Sequence, residues 1–244
     1  MEIHKPKPIR TWRELLSEIA VVVIGIAIAL TGEQVVDELR WAHKVREAED
    51  SMRRELTENN RDAYFRLASE NCAGRDLDHI ENLLVASRDR GAPVPLIARY
   101  ARPIRPWLGG AWENARALQV AGHISQRRLT AYSSAYFFPA MLRAAQPAER
   151  QAVSELNTLT VNAGRLAPAE RDRLFAALVK AREVDHETVL GVWHLIHQTA
   201  ALGLRLTPGQ KREEMAKARA AFGDCVTEPD LARAPQGSSS SQAE

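Results

Sequence analysis

The sequence predicts an all-α protein: one N-terminal transmembrane helix continuing into a long amphipathic helix, then an irregular helical bundle. Three observations carry this reading. Residues 19–32 (IAVVVIGIAIALTG) hold no charge. From Glu33 to Ala73 there is neither glycine nor proline, and apolar residues recur at helical spacing. Elsewhere alanine, leucine, glutamate and arginine are plentiful, while alternating runs of β-branched residues are almost absent.

The chain has 244 residues. An anchor and a polar tail leave roughly 180 for one medium domain with a real core. Lysine and arginine number 33 against 31 acids, a net charge of +2. That small surplus is spread along the chain, so it offers no electrostatic footprint for nucleic acid.

The strictly uncharged run is about 21 Å long as a helix, short for a bilayer, which needs about 20 apolar residues. Extending it from Leu15 to Val36 gives a sufficient span if Glu18 and Glu33 sit at the two interfaces. Trp12 and Arg13 then mark one interface, and Lys5, Lys7, Arg10 and Arg13 place the N-terminus in the cytoplasm. The chain divides accordingly into a basic N-terminus (1–14), a transmembrane helix (15–36), an extracytoplasmic helical domain with a membrane-proximal stalk (37–226) and a disordered tail (227–244). Two other readings stay open at this point. A cleaved signal peptide would use Ala27-Ile28-Ala29 as its small-residue site. A soluble core helix would have to be buried on every side.

The stretch Glu18 to Leu30 (EIAVVVIGIAIAL), preceded by Trp12-Arg13-Glu14, resembles an uncharacterised bacterial family of membrane proteins whose span has the pattern GEIxLVVIGIxIAL. The charged segment Arg54-Glu55-Leu56-Thr57-Glu58-Asn59-Asn60 is similar to that family's continuation, so the likeness covers about the first 60 residues. Ser17 stands where a glycine usually precedes the glutamate. The family's Asn-Trp-Asn after the span is missing, with only Trp41 further on. The resemblance implies an anchored bacterial single-pass protein and brings no catalytic residues; with the basic N-terminus in the cytoplasm, the main domain is expected outside, in the periplasm if the membrane is a bacterial inner membrane.

Beyond the span, Leu39, Ala42, Val45, Met52, Leu56, Ala63 and Leu67 mark one face of the long helix, which is expected to end at Gly74. Leu77, Ile80, Leu83 and Leu84 mark a second helix closing near Arg90-Gly91. Arg102-Pro103-Ile104-Arg105-Pro106 is too rich in proline for regular structure, and Trp107 and Trp112 flank Gly109-Gly110 at a corner expected to dock on the core. A short helix from Trp112 to Val120 follows. Pro147, Pro168 and Pro208 each stand at the first position of an expected helix, with an acid or amide at the third. Tyr132, Tyr136, Phe137 and Phe138 form an aromatic patch before Pro139, which is expected to kink or restart its helix. The segment from Pro168 to Leu206, with Leu174, Leu178, Ala181, Val192, Leu195 and Leu202, reads as the central helix.

Candidate chemistry is sparse. Glu183, His186, His194 and His197 fall on one side of the central helix, and Glu183 with His186 is half of the ExxH pairing used by di-iron bundles. No second ExxH is present, and Asp76-Leu77-Asp78-His79 offers only a DxxH. These four are therefore the metal candidates, and structural histidines are the expected outcome. His123 with Ser125 lacks an orienting third group, and Gly109-Gly110 lacks the lysine and hydroxyl of a phosphate loop. Cys72 and Cys225 are too far apart for a CxxC metal motif. They would form a disulfide if the domain lies outside the cytoplasm, or else remain two separate buried thiols. With no catalytic residues and no cofactor indicated, the expected role is non-enzymatic: an anchored interaction or scaffolding module. Its partners would be the lipid bilayer and another envelope protein or a second copy of itself. A ligand- or metal-sensing bundle using His186, His194 and His197 is the alternative.

Overall fold

A computed structural model describes residues 12–235. The expected tail at 236–244 and all but the last three residues of the basic N-terminus lie outside the described residues. Among the described residues there are six α-helices and no strand, only an isolated bridge between Val94 and Gly164. The all-α class is therefore what the chain adopts.

Helix α1 (Trp12–Ala68) runs unbroken for 57 residues, about 85 Å at 1.5 Å per residue. Its first third is long and apolar enough to cross a membrane, with a mean hydropathy of 2.3 and nothing buried against protein. Ile19, Val22, Ile24 and Ile28 stand out from the helix with half or more of their surface free. A core helix would bury these side chains, so that reading is set aside. Thr31, the hydroxyl residue of this stretch, donates back to the carbonyls of Ala27 and Ile28 at 2.8 and 3.0 Å. That bond spares it an unpaired polar group in an apolar setting. The helix also passes straight through Ala27-Ile28-Ala29 into the folded domain.

The expected stalk is short. Trp41 and Ala48 already pack on the core and Val45 is buried, so the domain begins about five residues past Val36. A single helix thus carries both the stretch apolar enough to cross a membrane and the strut on which the domain packs. Where it ends also differs from expectation, since the break falls at Ser69 and Gly74 lies inside α2 (Glu70–Arg90). Ser69 uses its hydroxyl to bond the Arg66 carbonyl, competing with the helical ladder. The cost of Gly74 in a helix, about 1 kcal/mol, is offset by burial of Ala73 and Leu77 on either side. Gly91 closes α2 at φ 62°, a left-handed position glycine takes without a Cβ penalty.

Residues 92–109 have no helix, and two asparagine side chains each pin one residue of their backbone. Asn59 donates to the Leu108 carbonyl and accepts from its N–H, at 2.9 and 2.8 Å. Asn157 does the same for Tyr100. After the short α3 (Gly110–Ala117) and a single 3-10 turn, α4 (Gln126–Leu156) runs for 31 residues. It passes through both Pro139 and Pro147. The helix start expected at Pro147 does not exist, and the same holds for a restart at Pro139. Each proline removes one ladder bond, but α4 lies along α5 (Pro168–Ala201) over most of its length, and the apolar area buried there holds it together. Gly191 permits this approach, because a Cβ there would meet the side chains of Met141 and Leu142.

Helix α5 opens at Pro168 and α6 (Pro208–Phe222) at Pro208, as their cap signals predict. Thr207 and Gln210 form a reciprocal capping box on α6. The first part of the expected disordered tail is placed instead. Thr227 N–H donates to the Ala68 carbonyl at 3.1 Å, Asn71 donates to the Thr227 hydroxyl at 2.8 Å, and Leu231 packs against two parts of the core. Leu231 is the apolar anchor that a composition-based reading of this segment overlooks.

Candidate functional site

The four metal candidates do not converge. Glu183 pairs with Lys180 at 2.9 Å on the surface, and His186 is exposed one turn further on. His194 stacks on Phe138, with ring centroids 5.4 Å apart. His197 lies 3.8 Å from the Trp193 ring, and its Nδ1 is 2.8 Å from the Trp193 carbonyl, which fixes Nδ1 as the donor. Among the described residues no group of three histidine, cysteine or acidic side chains is placed to hold a metal ion.

The structure instead arranges His194 and His197 in an aromatic run across α4 and α5. Phe137, 61% exposed, meets Phe138 edge-on at 5.3 Å; Phe138 leads to His194, then Trp193, then His197. The predicted corner has the opposite fate. Trp107 is buried and Trp112 stacks on Tyr136 at 5.7 Å, so both rings dock on the core, while Ile104 and Leu108 beside them stay exposed.

Cys72, in the first turn of α2, and Cys225, just after α6, are joined by a disulfide. Trp12, Arg13, Glu18 and Glu33 are all exposed on α1, on either side of the apolar stretch.

The domain also buries a charge cluster that is not among the residues expected from the sequence to form a site. Arg66 of α1 reaches Glu149 of α4 at 2.6 Å and Asp185 of α5 at 3.1 Å, and it donates to the Pro103 carbonyl. Arg102, from the proline-rich loop, contacts Asp185 and approaches Glu149 at 3.7 Å and Glu70 at 3.8 Å. None of Arg66, Arg102, Glu149 and Asp185 keeps more than 9% of its surface. Burial, reinforced by the Arg66 cation, pulls the Arg102 guanidinium below its ordinary pKa, and burial pushes the neighbouring Tyr100 phenol up to about 12. A signal for the cluster was present. Arg66 continues the buried line Leu56, Asn59, Ala63; Glu149 falls between Leu142 and Leu156; Asp185 falls between Ala181 and Val192. Three charges on three apolar stripes are expected to meet one another.

Asp62 is a separate case. Arg105 lies 3.6 Å away and draws its pKa down, but burial outweighs this and raises the carboxyl to about 6. A folded-state value above the unfolded one means the folded form binds its proton more tightly. The stability Asp62 contributes is therefore complete below about pH 4 and lost as pH rises through about 6. Asp62→Asn cannot ionise and is expected to gain on the native protein steadily between pH 4 and 7. Thermal melts across that range check this, and a variant less stable than the native protein at pH 7 would contradict it.

Fold and site together define an all-α domain built directly on one helix capable of crossing a membrane near the N-terminus. No family model matches the sequence, no curated protein matches it, and no solved structure matches the chain.

Proposed function

We propose that this protein is a non-enzymatic, membrane-anchored interaction module of the bacterial cell envelope. In this reading α1 spans the inner membrane with its basic end in the cytoplasm, and the domain stands in the periplasm. The resemblance of Glu18 to Leu30 to the bacterial single-span family favours that placement, and so does the Cys72–Cys225 bridge, since disulfides persist in oxidising compartments. The charged groups the fold gathers support a structural role for them, because Arg66, Arg102, Glu149 and Asp185 are locked together in the core rather than opened onto a cleft.

The observation that carries the proposal is the aromatic run from Phe137 to His197. Aromatic side chains left partly uncovered on a folded surface favour contact with another protein, and here the partner is another envelope protein or a second copy of this chain. The test is a photo-reactive residue at position 137 of the full-length protein in intact membranes, with position 179 as control, since Val179 is equally exposed elsewhere on α5. A protein adduct at 137 but not at 179, lost on Phe138→Ala with His194→Ala, is the expected result. Equal labelling at both positions, or none at 137, would remove the proposal.

A further inference from the structure

We infer a binding site for a small amphiphilic carboxylate, a free monoanion with an apolar tail, in the cavity between α1, the end of α5 and the start of α6. The cavity holds about 400 Å³, within the roughly 300–1,000 Å³ of ordinary small-molecule sites. Tyr64, Ile196 and Leu206 give it an apolar lining, and Leu231 of the C-terminal segment closes one side.

Its charge is one-sided. Arg205, Lys211 and His197 line the cavity, and no carboxylate does. Nearby, Arg61 pairs with Glu213 and Glu214, and Lys217 with the same two acids, so these carboxylates are engaged away from the cavity. Among the described residues neither Arg205 nor Lys211 forms an ion pair, and Glu228 lines the neighbouring cleft with Tyr64 and Lys211, outside the cavity itself. His197 commits its Nδ1–H to the Trp193 carbonyl, which makes Nε2 of the neutral ring an acceptor, so Arg205 and Lys211 are the groups that meet an anionic head. Unpaired cations beside an apolar lining match a molecule with an anionic head and an apolar body, the few-polar-groups pattern of small-molecule sites.

Position decides between a bilayer lipid and a free molecule. Asn60 and Tyr64, which line the cavity, lie 24 and 28 residues beyond Val36 on α1. That is about 36 to 42 Å along the helix, against a headgroup layer of roughly 5–8 Å on each side of a bilayer. A lipid seated in the membrane cannot reach it. The cavity shares His197 with the aromatic run proposed for partner contact, but its test reads Arg205 and Lys211 while that of the run reads Phe137, Phe138 and His194, so each can fail alone.

The experiment is calorimetric titration of the full chain in lipid nanodiscs with 4-phenylbutyrate, 4-phenylbutanol and inorganic phosphate, with the heat from empty discs subtracted. The acid is expected to bind one to one, with the alcohol and phosphate each at least tenfold weaker. Arg205→Gln with Lys211→Gln should weaken the acid at least tenfold and leave the melting temperature unchanged. Acid and alcohol binding alike, phosphate binding as well as the acid, unchanged affinity in the variant, or no binding beyond empty discs would each overturn the assignment. The comparison of acid with alcohol uses the native protein, so it decides even if the variant does not fold.

Discussion

Asp185→Asn is expected to destabilise the domain by about 3–5 kcal/mol, the cost of breaking a buried ion pair from one side. For a domain of this size that is a fall in melting temperature on the order of 10 °C. The substitution keeps the shape of the side chain and removes only its charge. Arg66 and Arg102 both lean on this carboxylate, and without it two buried guanidinium groups share Glu149 and the more distant Glu70. Burial already lowers the Arg102 pKa, a sign that the cation is held at a cost. Glu149→Gln should act in the same direction, and the double variant should lose less than the sum of the singles, because residues within one network couple. Replacing all four charged residues with apolar side chains of similar volume is expected to be far milder than either single change, since the penalty lies in the unpaired charge. Thermal and denaturant unfolding of the series measure this. Strictly additive single and double variants would mean the four groups do not act together.

The second large effect concerns the bridge between Cys72 and Cys225. It closes 153 residues of chain, and a chain-entropy argument assigns such a loop about 5 kcal/mol, with about 2–4 typical of measured bridges. The bridge ties the first turn of α2 to the end of α6, and it anchors the segment that carries Thr227 and Leu231 across α1. Reductant is expected to lower the melting temperature of the native protein by roughly 10 °C, and Cys72→Ser with Cys225→Ser should reproduce that drop and then ignore reductant. Limited proteolysis should cut first near residues 227–235 in the reduced form. A native protein indifferent to reductant would show that the bridge contributes nothing to stability.

The histidine-bearing side of α5 shows how far periodicity reaches. Placing Glu183, His186, His194 and His197 on one side of a helix follows from 3.6 residues per turn. Whether they face one another, an ion or neighbouring rings depends on what α4 presents, and it presents Phe138. The tryptophan corner follows the same pattern: its docking on the core was legible from Trp107 and Trp112 flanking two glycines, but whether that docking left any surface open was not. The cavity beside Arg205 and Lys211 had no local signature, because its lining comes from α1, α5, the α5–α6 connection and Leu231, which are distant in sequence.

The sequence by itself determined the features that depend on neighbours within a few residues. These are the apolar stretch in α1, the all-α class, the glycine that ends α2, and the proline and capping-box starts of α5 and α6. Each rests on local backbone energetics or on the hydropathy of a contiguous run, and both can be read along the chain. Tertiary structure alone decided that α4 continues through Pro139 and Pro147, and that Leu231 holds the C-terminal segment in place. It also decided that Arg66, Arg102, Glu149 and Asp185 meet in the core. In each case a local preference of about 1–3 kcal/mol is outweighed by burial or charge pairing between segments far apart in sequence.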